Sequence, residues 1–268
     1  QAALKDPDPL VRQGALVALE EVDLPPRLSL VAPLLHDPIL AVRIQAVRVL
    51  GAGPPAPLTQ EQHSSLDSAL AEYRRVQEFN ADRPESQMNL GTLAAELGQM
   101  AEADQAYRTA TKLAPGFAPA YVNLADLFRT SNREMEGEAV LREGHKEVPG
   151  ASALHHSLGL LLIREKRMPE ALKQLSEAAR LDPGDARYSY VYGVALESVG
   201  RMDQALSVLE TAYKVHPGNR DILAALATFS EKKGDLSAAA RYATRLIALS
   251  PNDPGAYQLL QRIQSHPR

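Results

Sequence analysis

Apolar and polar residues follow each other along most of this chain with the period of an α-helix, in segments of roughly a dozen residues interrupted at regular places. QMNLGTLAAEL at 87–97 is followed by AEADQAYRTATKLA at 101–114, and in each the apolar residues gather on one helical face. The pairing recurs at an interval of 34 residues. Leu90-Gly91, Leu124-Ala125, Leu158-Gly159, Tyr192-Gly193 and Leu226-Ala227 keep it, as do Ala103, Gly137, Ala171, Ala205 and Ala239, and again Pro115, Pro149, Pro183, Pro217 and Pro251. A fixed period of this length marks a supersecondary element copied along the chain. Each copy reads as a helical hairpin. Small residues let its two helices approach, and Tyr107, Leu141, Leu175 and Leu209 fill the space above them. Gly98, Asn132, Gly200 and Gly234 supply the left-handed residue that ends a first helix, with Lys166 in that place in the third copy. Each proline then blocks continuation of a second helix.

These residues resemble the tetratricopeptide repeat (TPR) family, in which a Leu-Gly is followed by an Ala, an aromatic four beyond it and a closing Pro. Five full hairpins cover 84–251. A partial one at 59–83 matches a second helix through Ala69 and Tyr73, and 254–266 is expected to be a terminal capping helix, so 59–268 forms the TPR array. The resemblance implies an all-α fold, a right-handed α-solenoid of stacked hairpins with an extended concave face lined by first helices.

The first fifty residues keep a different interval. DPDPLVRQGALVAL at 6–19 aligns with DPILAVRIQAVRVL at 37–50, 31 residues on, so that Asp6-Pro7 matches Asp37-Pro38 and Val11-Arg12 matches Val42-Arg43. This segment, 1–50, resembles HEAT-type repeats, in which an Asp opens the second helix of a pair. GAGPPAPL at 51–58 reads as a stiff Pro/Gly connector. Thr59 and Gln62 are placed to form a capping box for the helix that follows.

Composition narrows the function classes. With 29 Lys and Arg against 33 Asp and Glu, the net charge is −4, which lacks the basic excess that dominates nucleic-acid affinity. Zero cysteine excludes disulfides, thiolate metal sites, a Cys nucleophile and C-x-x-C-H haem attachment within these residues. No apolar run approaches the roughly 18 residues of a membrane span. The opening AALKDPDP reads as lying inside a repeat, so the chain is expected to be part of something longer. Neither H-E-x-x-H, a phosphate-binding Gly loop nor G-x-S-x-G occurs, and no set of acid, base and nucleophile converges in the pattern. His155 and His156 point about 100° apart, not along one face as metal-binding pairs do, so neither a metal nor another cofactor is expected. His155 is expected to pack inside and His156 to face the groove.

The candidate site is the first-helix face turned away from the Leu-Gly core. Asn89 and Asn123 precede their Leu-Gly and Leu-Ala pairs at the place where TPR arrays resemble a ladder of asparagines holding a peptide main chain; Ser157, Val191 and Ala225 do not continue it. An amide offers both donors and an acceptor, so it pairs with a main chain whatever its side chains. Asp126 and Arg129 lie beside this ladder. Farther along, His156, Leu160, Ile163, Tyr190 and Val194 make the middle of the face apolar, rimmed by Arg129, Arg164 and Arg187, as a partner helix or apolar peptide requires. The clamp that holds C-terminal carboxylates in chaperone-binding TPR proteins needs cations where Met88 and Val122 stand, and is set aside.

The expectation is a noncatalytic scaffold that binds a protein or peptide in the concave groove, without nucleic acid or membrane insertion. A second reading comes from the HEAT-then-TPR order together with LHHSLGLLLIREKRMPEAL at 154–172 and RYSYVYGVALESVGR at 187–201. These resemble the C-terminal region of bacterial multihaem cytochrome c family proteins. That resemblance implies an accessory region in a periplasmic setting, with the chemistry outside these residues. A third reading is self-association, with an end helix of one copy in the groove of another.

Overall fold

The computed structural model describes residues 2–20, 22–51 and 59–265. All but Gly51 of the expected 51–58 connector, and the last residue of the expected capping helix, lie outside them. Among the described residues every regular element is helical. The N-terminal helices are α1 (Pro9–Val17), α2 (Leu24–Val31) and α3 (Leu40–Leu50), with 3-10 turns at Ala2–Lys5 and Ala32–His36. α4 (Gln60–Phe79) follows, opened by the Thr59 and Gln62 capping box: the Gln62 amide donates to Thr59 Oγ1 at 3.2 Å and the Thr59 amide to Gln62 Oε1 at 2.9 Å.

Five hairpins come next: α5 (Pro84–Glu96) with α6 (Met100–Leu113), α7 (Ala118–Thr130) with α8 (Glu134–Glu147), α9 (Ser152–Arg164) with α10 (Met168–Leu181), α11 (Ala186–Ser198) with α12 (Met202–Val215), and α13 (Arg220–Lys233) with α14 (Leu236–Leu249). α15 (Pro254–Gln264) closes the series. First helices begin at 84, 118, 152, 186, 220 and 254, so the period of the sequence is also the period of the structure. Beyond three of the Pro-containing turns, Asp185, Asn219 and Asp253 cap the next first helix by accepting from its opening amides.

The turn inside each hairpin is one construction used five times. Gly98, Asn132, Lys166, Gly200 and Gly234 have φ of 73°, 56°, 61°, 77° and 88°. In each, the following amide bonds a carbonyl five residues back, as Arg167 N does to Leu162 O at 2.9 Å. The third hairpin therefore keeps the turn of the others with a lysine in the left-handed region, where a Cβ costs about 1–2 kcal/mol. Lys166→Gly is expected to raise stability by about 1 kcal/mol, since relief of that strain outweighs the extra freedom of the unfolded chain. A higher urea midpoint at unchanged slope would confirm it, and a lower one would show that the turn carries no strain.

Within a hairpin the small residue is needed for close approach. A Cβ added at Gly91 would lie 2.6 Å from the Tyr107 ring, one at Gly159 2.7 Å from Leu175, and one at Gly193 2.8 Å from Leu209. Leu175 and Leu209 are fully buried.

The chain divides into two compact units, 1–137 and 138–268. In the N-terminal unit one core runs from Leu16, Val31, Val42 and Leu50 into Leu66, Ala69, Tyr73 and Leu93. The segment with the 31-residue interval thus shares its core with α4 and the first TPR hairpin. That interval is also visible in contacts. The Asp6 carboxylate accepts from the Asp8 amide and Asp37 from the Ile39 amide, both at 2.9 Å. Arg12 bonds the Asp6 carbonyl and Arg43 the Asp37 carbonyl, each at 2.7 Å. The two guanidiniums then clasp the next acid along, Arg12 on Asp37 and Arg43 on Glu72, with nearest approaches of 2.7 Å. In the C-terminal unit the core gathers Leu172, Leu175, Leu196, Leu209, Ile222 and Leu226, followed by smaller clusters under α14 and α15.

Candidate functional site

The predicted site residues divide between the units. In the N-terminal unit, Asn89 on α5 is half-buried, and its Nδ2 donates to Oε1 of the buried Gln77 on α4 at 3.1 Å. Asn123 on α7 is half-buried near the hydroxyl of Tyr107, which lies 3.1 Å from Thr92 Oγ1. Burial raises the Tyr107 pKa, partly offset by the polar groups of Thr92 and Asn123. Asn89 therefore spends one bond tying α5 to α4, and both amides keep donor and acceptor capacity to spare. Asp126 and Arg129 form an exposed ion pair at 2.6 Å, one turn apart on α7, so neither presents an uncompensated charge.

Asn89 also lines a cavity of about 330 Å³ with Arg48 of α3, Tyr73 of α4 and Thr92 and Glu96 of α5, closed on another side by Glu20. Sequence reasoning found Asn89 but not Arg48, Tyr73 or Glu20 as part of this site. Arg48 and Glu20 come from the segment with the 31-residue interval, and nothing in the spacing says how it meets α5; Tyr73, the counterpart of Tyr107 in the 34-residue series, reads from spacing only as a packing residue.

In the C-terminal unit, Leu160 and Ile163 on α9 and Tyr190 on α11 are half-buried, and Val194 is 36% exposed. Ile163 and Tyr190 rest on the core of Leu175, Leu196 and Leu209. Arg164 and Arg187 are exposed at the ends of the strip. The structure corrects the expectation for the two histidines. His156 is only 4% exposed, packed with its ring centroid 4.8 Å from that of Tyr188, and neither ring nitrogen has a hydrogen-bond partner. His155 is the half-buried one, with Nδ1 2.8 Å from Gln174 Oε1, Nε2 3.0 Å from the Pro149 carbonyl, and the ring edge-on to His145 at 4.2 Å.

The cause lies in the register. His156 occupies the position held by Met88, Val122, Tyr190 and Ala224, half-buried in the other hairpins. Tyr188 stands where Ser86, Ala120, Leu154 and Ile222 are buried. A tyrosine is too large for that place, stays half-buried and covers the imidazole. Burial pushes the His156 pKa down to about 4, the nearby Arg187 cation adds to the shift, and Asp185 opposes it. His156 is thus the floor of the strip, not a group on its surface.

Among the described residues no group of three or more His, Asp and Glu is arranged to hold a metal ion, and no helix is long and apolar enough to cross a membrane.

Stacked hairpins of this geometry define a TPR array, a class of protein-interaction scaffold. The chain belongs to the family described as the cilia and flagella-associated protein 70 C-terminal domain, a TPR family matched over residues 55–268. No curated protein matches it. Among solved structures it is similar to YrrB, described as a TPR protein with an unusual peptide-binding site, at 20% identity and a TM-score of 0.52 over 70% of this chain and 96% of that one. It is also similar to PilF of Pseudomonas aeruginosa, at 19% identity and 0.57 over 71% and 84%, and to yeast Tom70, at 16% identity and 0.64 over 97% of this chain and 55% of that one. At these identities the likeness is one of fold.

Proposed function

We propose that the chain is a noncatalytic scaffold whose first-helix face holds a peptide or helix of a partner protein. The observation that carries this reading is the half-open strip of Leu160, Tyr190 and Val194, apolar side chains left partly wet between exposed arginines. The spare amide capacity of Asn89 and Asn123 supports main-chain recognition in the N-terminal unit, with Asp126 and Arg129 setting register. The peptide site named for the similar YrrB fold supports the same use of a TPR face. The segment at 1–50 is HEAT-like in this reading, held by its repeated Arg contacts, and orients the array.

The experiment is a pull-down from the native extract with wild type, Leu160→Asp and Tyr190→Ala. Loss of an apolar anchor from a groove costs about 2 kcal/mol or more, so recovery of the bound partner should fall at least about tenfold. Equal recovery with all three would remove the strip as the site. A second reading, motivated by the segments at 154–172 and 187–201, makes this the docking region of a periplasmic multihaem cytochrome. C-x-x-C-H motifs in the full-length sequence would decide for it. Concentration-dependent light scattering distinguishes both from self-association.

A further inference from the structure

In the C-terminal unit we infer a second docking surface, on the second helices α12 and α14, for an acidic peptide segment of a partner protein that carries one apolar or aromatic side chain. It lies on different residues from the first-helix strip and does not depend on it. α14 exposes Arg241, Thr244, Arg245 and Ala248 at spacings of three and four, hence as one stripe. With Tyr213 of α12 and Tyr242, these residues line a hollow of about 430 Å³. The two tyrosine rings meet edge to face at 5.7 Å and are half-buried, rooted on Leu223 and Leu246. The hollow thus has fixed aromatic walls.

Its charge is uncompensated. Arg142, Arg167, Arg180, Arg220 and Arg262 of the same unit each have a carboxylate partner. Arg245 has none among the described residues, and Arg241 lies over the Tyr242 ring, 5.5 Å from its centroid, without an acid. α14 and α15 contain no Asp or Glu at all, and Lys214 adjoins Tyr213. Glu210, the nearest acid along α12, is exposed and forms no ion pair with Arg241 or Arg245 among the described residues.

Two guanidiniums one turn apart fit two carboxylates of an extended or helical peptide, and the hollow beside the paired tyrosines fits an apolar side chain. A chain of net charge −4 with two or three cations at one place is poorly suited to a nucleic acid or an anionic bilayer, which need a broad basic surface. A short acidic segment needs only this local field.

The test is selection of a random-peptide display library on the intact chain, followed by anisotropy titration of the recovered peptides. Acidic peptides with an apolar or aromatic residue should be enriched. Their affinity should fall about tenfold or more for Arg241→Glu with Arg245→Glu, and weaken with added salt. Tyr213→Ala should weaken them as well, and Leu160→Asp should leave them unchanged. Circular dichroism of the variants checks that these surface changes leave the fold intact. Enrichment of no acidic peptide, or indifference of the recovered acidic peptides to the two charge reversals, would overturn the inference. So would binding of phosphatidylserine vesicles or poly(U) that the charge reversals abolish while no acidic peptide binds. Failure of the first-helix reading would show instead as indifference to Leu160→Asp of the partner recovered by pull-down, an independent outcome.

Discussion

Leu209→Ala is expected to destabilise the C-terminal unit by about 2–5 kcal/mol, because the side chain is fully buried and its removal leaves a void the packed helices close only partly. Gly193→Ala alone is also expected to destabilise. The new methyl would sit 2.8 Å from Leu209 Cγ and 2.9 Å from Cδ2, so α11 and α12 must separate, at a cost of about 1–3 kcal/mol. The better helix propensity of alanine returns only about 1 kcal/mol of that. In combination the signs change. With Leu209 truncated, the atoms that crowd the methyl are gone, the methyl occupies part of the void, and the propensity gain is kept. The double variant should be more stable than Leu209→Ala alone, with a coupling on the order of 2 kcal/mol. Urea denaturation of the four proteins measures it. Simple additivity would mean that the glycine and the leucine do not face each other.

That pair was legible in the sequence because it repeats. Gly91 with Tyr107, Gly159 with Leu175 and Gly193 with Leu209 share one spacing, and a spacing copied along a chain reports a contact copied along a fold. The helix starts, the left-handed turns and the Thr59 and Gln62 capping box were readable for the same reason, each being set by residues near in sequence. Lys166 shows the limit of local chemistry. Its side chain argues against the turn, yet neighbours that fix both helices impose it.

What could not be read depends on individual sizes at repeated positions, or on where elements with different intervals meet. The histidine assignment failed because helical phase places His156 on the outer face, while the bulk of Tyr188 from the next first helix decides that it is covered. The cavity at Asn89 was missed because Arg48 reaches it from outside the 34-residue series, and Tyr73, inside that series, reads from spacing only as a packing residue. The continuity of the N-terminal core across the change of interval has the same origin. Val42 and Leu50 pack into one cluster with Leu66 and Tyr73, although the two sequences keep different periods. Of the candidate strip, composition and spacing gave Leu160, Ile163, Tyr190 and Val194, but the degree to which each stays open is a matter of packing.

The burial of His156 makes the fold sensitive to mild acid. In the folded chain the imidazole stays neutral down to about pH 4, against an ordinary value of 6.5, through burial first and the Arg187 cation second. Below pH 6.5 the unfolded chain therefore takes up a proton that the folded chain refuses. The stability associated with this group is complete above that pH and is lost progressively as pH falls toward 4. A shift of this size corresponds to a loss on the order of 3 kcal/mol. His145, lowered chiefly by burial, acts in the same direction. Carboxylates in the same unit contribute at lower pH. Hydrogen bonds from Arg167 hold Glu170 below its ordinary 4.5, and burial of Glu138 is outweighed by Arg142 and Arg167. Stabilisation from these two is present above 4.5 and is lost only as pH falls through their lowered values, which leaves the window from 6.5 to 4.5 to the histidines. His156→Leu should flatten most of the fall in urea midpoint across that window. At pH 7 it should be neutral or stabilising, because it removes two buried ring nitrogens that have no partner. In wild type the His156 ring signal should titrate near 4 by NMR. An ordinary midpoint near 6.5, or the same acid slope in wild type and variant, would mean that the ring is wet and that the strip above it is open to its floor.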